Sequence, residues 1–224
     1  MNPKAKLIYK KFNSYYASWA FWFFITMVLV HLLATIFAAV EIWSLFDTSR
    51  QATQVFMLIL GIMNMGLLSY IVSNGITRRD YFIGITASAL LYSFLLTVAA
   101  AISTFLLEVL ALPALGWQAA VYPDFSFSIL LSLFLRYVLF YFIGWFIMAG
   151  FYRFHWLIGM LFIGGGILIV SIFDFLVGEE NAQMFDFLPV VNLPDLLGIP
   201  LIILLIIGTM IAVRSLTKNV RIKI

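Results

Sequence analysis

The sequence predicts an all-α polytopic membrane protein with six transmembrane helices, and three observations predict it. Hydrophobic residues make up 64% of the 224 positions and charged residues 10%, with a mean hydropathy of +1.10; a soluble domain is about half apolar and roughly a quarter charged. Six apolar segments approach or exceed the ~20 residues needed to cross a bilayer. The basic residues fall in alternate connecting segments, as cytoplasmic loops require. Six such spans use most of the chain, so one transmembrane domain over residues 1–224 is expected. Cysteine is absent, which excludes disulfides and thiolate metal sites. The formal charge of +3 lies beside apolar spans and reads as a topology signal, not a nucleic-acid patch.

Residues 1–17 form the first element. Ile8, Phe12, Tyr15 and Trp19 recur at helical spacing opposite Lys6, Lys10 and Asn13. That pattern predicts an amphipathic helix in the cytoplasmic headgroup layer, with its lysines toward anionic lipid. The first span, 18–46, is about twice the length of a signal-peptide core and is therefore expected to be retained. Further spans are predicted at 53–73, 82–112, 127–150, 156–177 and 197–213. The first and third exceed a bilayer crossing and must tilt or break near an end; Pro113 and Gly116 mark a stop for the third.

Lys4, Lys6, Lys10 and Lys11 precede span one, Arg78 and Arg79 join spans two and three, Arg153 joins four and five, and Arg214, Lys218, Arg221 and Lys223 follow six. The alternate segments hold Arg50 with Asp47, Asp124, Glu179, Glu180, Asp186 and Asp195. Both termini are therefore expected in the cytoplasm. The outer segment 173–200 contains short apolar pieces punctuated by Pro189, Pro194 and Pro200, which suits a re-entrant or extracellular helical hairpin between spans five and six.

The two histidines, His31 and His155, are expected on opposite sides of the membrane or deep within it, and no metalloprotease, nucleophile-elbow or phosphate-loop motif occurs. No catalytic, metal or cofactor site is expected. Gly164, Gly165 and Gly166 lie within span five, where a thin helix face admits a close neighbour. Among ionisable residues in the spans, Arg136 is about nine residues into span four, roughly 14 Å deep. An arginine there requires protein or water around it and a partner. Glu108 is the first candidate and Asp174 the second. Such a pair serves either as a polar patch on a translocation path or as a buried structural ion pair.

The segment from Asn74 to Phe82 reads Asn-Gly-Ile-Thr-Arg-Arg-Asp-Tyr-Phe. Asn74-Gly75 is a turn signal, and Thr77 is placed to N-cap the helix that follows. This loop resembles the loop between spans two and three of ABC-2 type (type V) exporter permeases of Gram-positive bacteria, and the outline of six spans with an amphipathic N-terminal helix is similar to theirs. The resemblance implies a permease subunit that pairs with a second copy or paralogue and docks on a separate cytoplasmic ATPase, which holds the ATP and magnesium. Carried over by position, Asn74, Gly75, Thr77, Arg78, Arg79, Asp80 and Tyr81 would form the coupling helix, and Tyr152, Arg153 and His155 a second contact. The implied cargo is amphipathic or lipid-like, such as an antimicrobial or cytolytic peptide. The alternative is a membrane accessory, immunity or sensor protein without transport activity.

Overall fold

The computed structural model describes residues 2–37, 45–107, 126–177 and 195–218. These form six helices: α1 (Pro3–Phe37), α2 (Leu45–Ser73), α3 (Arg78–Thr104), α4 (Phe127–Arg153), α5 (Trp156–Val177) and α6 (Asp195–Lys218). All six are long and apolar enough to cross a membrane, where a helix satisfies its backbone polar groups within itself.

Local chemistry explains several of the ends. At the end of α2, Asn74 donates from Nδ2 to the Tyr70 carbonyl at 2.7 Å, and the Gly75 N–H bonds the Val72 carbonyl at 3.0 Å. Gly75 adopts φ +81°, a left-handed conformation that a side chain would strain. Thr77 then caps α3: its Oγ1 accepts from the Asp80 N–H at 3.1 Å and donates to the Asp80 carboxylate at 2.8 Å. Ser126 accepts from the Ile129 N–H at the start of α4.

The predicted span limits shift accordingly. Helix α1 is unbroken through Ser18, so residues 3–17 and the first span form one helix. Phe46 belongs to α2, which begins at Leu45, eight residues before the expected Thr53. Helix α3 starts at Arg78 because Thr77 caps it there, four residues before the expected Phe82. Helix α4 continues beyond Gly150 to Arg153, and α6 covers Asp195–Lys218 where 197–213 was expected. Span five has its expected limits. Of the expected outer hairpin, residues 195–200 belong to α6; 178–194 lie outside the described residues, as does the expected stop at Pro113 and Gly116.

Side-chain contacts fix the directions. The Lys4 Nζ reaches the Gly75 carbonyl, Ser69 meets Tyr152, and Arg153 meets the end of α6. The starts of α1 and α3 therefore lie at the same end of the bundle as the ends of α2, α4 and α6. Helix α4 is its centre, packing against α2, α3, α5 and α6. From Tyr137 to Ile143 and again at Trp145, every α4 side chain is buried.

Two glycines bring α2 and α4 into backbone contact. A Cβ at Gly61 would lie 2.0 Å from the Tyr141 carbonyl oxygen, and one at Gly144 would lie 2.0 Å from that of Leu58. Small residues permit this approach where lipid removes the hydrophobic drive for helices to associate. At the α4–α5 crossing, the Phe162 ring covers Gly150 and the Phe151 ring covers Gly159. Of the three consecutive glycines, Gly166 meets Ile143 and Ile147, Gly165 meets Phe146, and Gly164 faces open space.

Helix α1 packs along α3 with Ala5, Ile8, Phe12, Tyr16 and Ala20. Tyr15 and Trp19, expected on the same face as Ile8 and Phe12, are instead exposed. Gly84 sets the closeness of this pair, since a Cβ there would lie 2.8 Å from the Ala5 carbonyl oxygen and from Ile8.

Candidate functional site

At one end of the bundle, the predicted coupling loop is built into a network of arginines and backbone carbonyls. Arg153 donates from Nη1 to the carbonyls of Ser215 and Leu216, each at 3.2 Å, and Arg78 donates to that of Lys218 at 2.5 Å. These are the last carbonyls of α6, where a helix presents unsatisfied acceptors and partial negative charge. Arg214 returns a bond to the Arg78 carbonyl at 3.1 Å and lies 5.5 Å over the Phe82 ring. The network joins the start of α3 to the ends of α4 and α6.

The residues of the predicted coupling loop divide into two sets. Asn74, Gly75, Thr77 and Arg79 are exposed, whereas Arg78 is half-buried and engaged with α6. Asp80 is buried against its cap partner. Tyr81, expected on a docking surface, is 1% exposed and points inward. Helical geometry explains the correction: Arg79 and Tyr81 are two residues apart and so lie on different sides of α3. In the second predicted contact, Arg153 and His155 are exposed, while Tyr152 is half-buried and hydrogen-bonded to Ser69 at 2.5 Å.

The inward path from Tyr81 leads to a polar centre not expected from the sequence. The Tyr81 hydroxyl donates to the Asn64 main-chain carbonyl at 2.6 Å. The Asn64 side chain completes a ring with two tyrosines: Tyr16 donates to Asn64 Oδ1 at 2.8 Å, Asn64 Nδ2 donates to the Tyr141 hydroxyl at 2.8 Å, and the two hydroxyls lie 3.0 Å apart. Tyr16 has spent its one proton on Asn64, so Tyr141 donates to Tyr16 and the ring closes. All four side chains are buried. They come from α1, α2, α3 and α4, so one cluster of hydrogen bonds ties four helices. Tyr92 adds a bond from α3 to the Asn13 carbonyl of α1 at 2.6 Å. The available signal was Asn64 itself, an amide within an apolar span that must find partners there.

Arg136 forms an ion pair with Asp174 at 3.1 Å, with side chains only 3% and 2% exposed. The guanidinium also lies 4.9 Å over the Phe173 ring. Asp174 was the second of the two expected partners; Glu108, the first, lies outside the described residues. The pair links α4 to α5 and places opposite charges together where neither could remain alone. Among the described residues, no three His, Asp or Glu side chains gather as metal ligands would.

Charge is thus distributed unevenly between the two ends. Lys4, Arg78, Arg79, Arg153, Arg214 and Lys218 share the network end, whereas Arg50 and Arg136, toward the other end, are each matched by an aspartate at 3.0 and 3.1 Å. No family model matches the chain, and comparison with curated proteins and with solved structures finds no match.

Proposed function

We propose that this chain is the membrane-spanning permease subunit of an ATP-binding-cassette exporter. It works with a second copy or paralogue and is powered by separate cytoplasmic ATPase chains that carry the ATP and magnesium. The basic end faces the cytoplasm, and both termini lie on that side. The lysines of residues 1–17 then sit at the cytoplasmic headgroups. The cargo is amphipathic or lipid-like, in the class of antimicrobial and cytolytic peptides.

The observation that carries this reading is the connection between rim and core at the start of α3. Arg79 presents its guanidinium outward beside the exposed turn at Asn74, and Tyr81, half a turn beyond Arg79, is bonded to the backbone beside the polar ring of α1, α2 and α4. A partner gripping Arg79 has a rigid lever into α1, α2 and α4. A loop that served only as a topology anchor would need its charge and no such connection.

Co-purification with the candidate ATPase, followed by ATP hydrolysis with and without this chain, tests the reading. Arg79→Ala is expected to weaken association about thirtyfold, since an interface anchor contributes about 2 kcal/mol. Tyr81→Phe is expected to keep association and lose stimulation, because it cuts the lever without touching the rim. If no ATPase associates with the parent chain, the exporter reading falls and a non-transport membrane accessory takes its place.

A further inference from the structure

Between the first four turns of α1 and the last turns of α2 runs a groove of about 550 Å³, with the Asn74–Ile76 turn at its end. Leu7 and Tyr15 of α1 and Leu67, Tyr70 and Ile71 of α2 give it apolar walls, and Lys4 and Lys11 stand on its rim. These lysines are seven residues apart, two helical turns, so they share one face of α1 about 10 Å apart. Both are exposed, and Tyr70 is 70% exposed beside them.

From this arrangement we infer that the groove binds one anionic phospholipid of the leaflet at the basic end, an acyl chain against the apolar walls and the phosphate on Lys4 and Lys11. The inference rests on the orientation proposed above and not on the ATPase. An apolar slot with a cationic rim matches an amphiphile with an anionic head, and the cytoplasmic leaflet supplies such lipids. Its volume is that of a small-molecule pocket. A second copy of the chain seated there about a two-fold axis would bring its own lysines against these. Occupancy also has a consequence for the loop: Lys4 now donates to the Gly75 carbonyl at 2.9 Å, and a phosphate competing for that ammonium frees the turn before Thr77 from α1. The lipid therefore acts on the same loop that carries Arg79.

Native mass spectrometry of the purified chain in detergent, given equal amounts of dioleoyl phosphatidylglycerol and phosphatidylcholine, tests the inference. The parent is expected to retain one phosphatidylglycerol in preference to phosphatidylcholine. Lys4→Gln with Lys11→Gln should reduce that retention about tenfold or more. Lys6→Gln with Lys10→Gln, which removes the same charge from exposed positions outside the groove lining, should leave it intact. If the first pair impairs folding, Lys11→Gln alone preserves the Lys4–Gly75 bond and should still cost about fivefold. Equal loss in both lysine pairs, or no headgroup preference, would overturn the inference. Displacement by millimolar inorganic phosphate would reduce the site to a simple anion site and overturn it as well. Cysteine labelling of orientation is a separate measurement, so lipid retention can fail while the orientation stands, and the reverse.

Discussion

Tyr16, Asn64 and Tyr141 each satisfy the others, so the cost of losing one depends on what remains. Tyr141→Phe removes an acceptor from Asn64 and a donor from Tyr16, leaving both short within the bundle. About 1 kcal/mol of destabilisation is expected, in the range measured for hydrogen bonds between membrane helices. Replacing all three together, by Tyr16→Phe, Asn64→Leu and Tyr141→Phe, should cost less than the sum of the single changes, because no orphaned polar group remains. Unfolding in mixed micelles measures both, and strict additivity would show that the ring is not a unit. The Tyr81 bond survives Asn64→Leu, since it uses the main-chain carbonyl. The Arg136–Asp174 pair has the sharper asymmetry: Asp174→Asn leaves an uncompensated guanidinium and should cost about 3 to 5 kcal/mol. Adding Arg136→Met should restore part of that loss, and a double variant no better than the single would mean the pair is not the source of the cost. A buried arginine announces itself in a sequence, because charge within an apolar span is rare. The tyrosines do not, because a phenol is amphipathic enough to face lipid, headgroup or core. Only the fold distinguishes Tyr16, buried, from its neighbour Tyr15, exposed.

The same ambiguity governs whole helices. Hydropathy located all six spans, since length and apolarity are what insertion requires. It did not identify α4 as the central one, because the lipid-facing and protein-facing sides of a membrane helix are both apolar and no periodic contrast marks the core. Turn chemistry was legible at Asn74-Gly75 and Thr77, where specific backbone bonds demand specific residues. Close approach was less so: the run from Gly164 to Gly166 drew attention, yet the tightest crossing uses the separated Gly61 and Gly144. A methyl group at either position would fall 2.0 Å from a partner backbone oxygen, and backbone cannot yield as a side chain does. Gly61→Ala and Gly144→Ala are each expected to destabilise the fold by about 1 to 3 kcal/mol as α2 and α4 are forced apart. Gly66→Ala, on the same helix but with open space around it, should be neutral or slightly stabilising. Thermal unfolding in detergent checks the contrast, and equal effects at Gly61 and Gly66 would show that helix propensity, not the crossing, sets the cost.

At the scale of the molecule, orientation follows from where charge can go. Moving a basic residue across a bilayer is costly, so an end crowded with cations stays on the side of synthesis, while cations elsewhere must be neutralised locally. The network end has its arginines spread over α3, α4 and α6 and bonded mainly to carbonyls, and Asp80 is the one carboxylate among the described residues there, which leaves an excess of positive charge. Toward the opposite end, Arg50 and Arg136 each meet an aspartate. The chain is cysteine-free, so single cysteines can report each end without background. Thr77 is an exposed site at the network end, and Gln51 is exposed near the start of α2, some 33 Å away along the helix at 1.5 Å per residue. Ser49, close to Gln51, would be a poor reporter because it is fully buried. In intact cells a membrane-impermeant maleimide should label Gln51→Cys, and should reach Thr77→Cys only after the membrane is opened. External labelling of Thr77→Cys would reverse the orientation, put the Asn74–Arg79 rim beyond reach of any ATP-hydrolysing partner, and remove the exporter reading altogether.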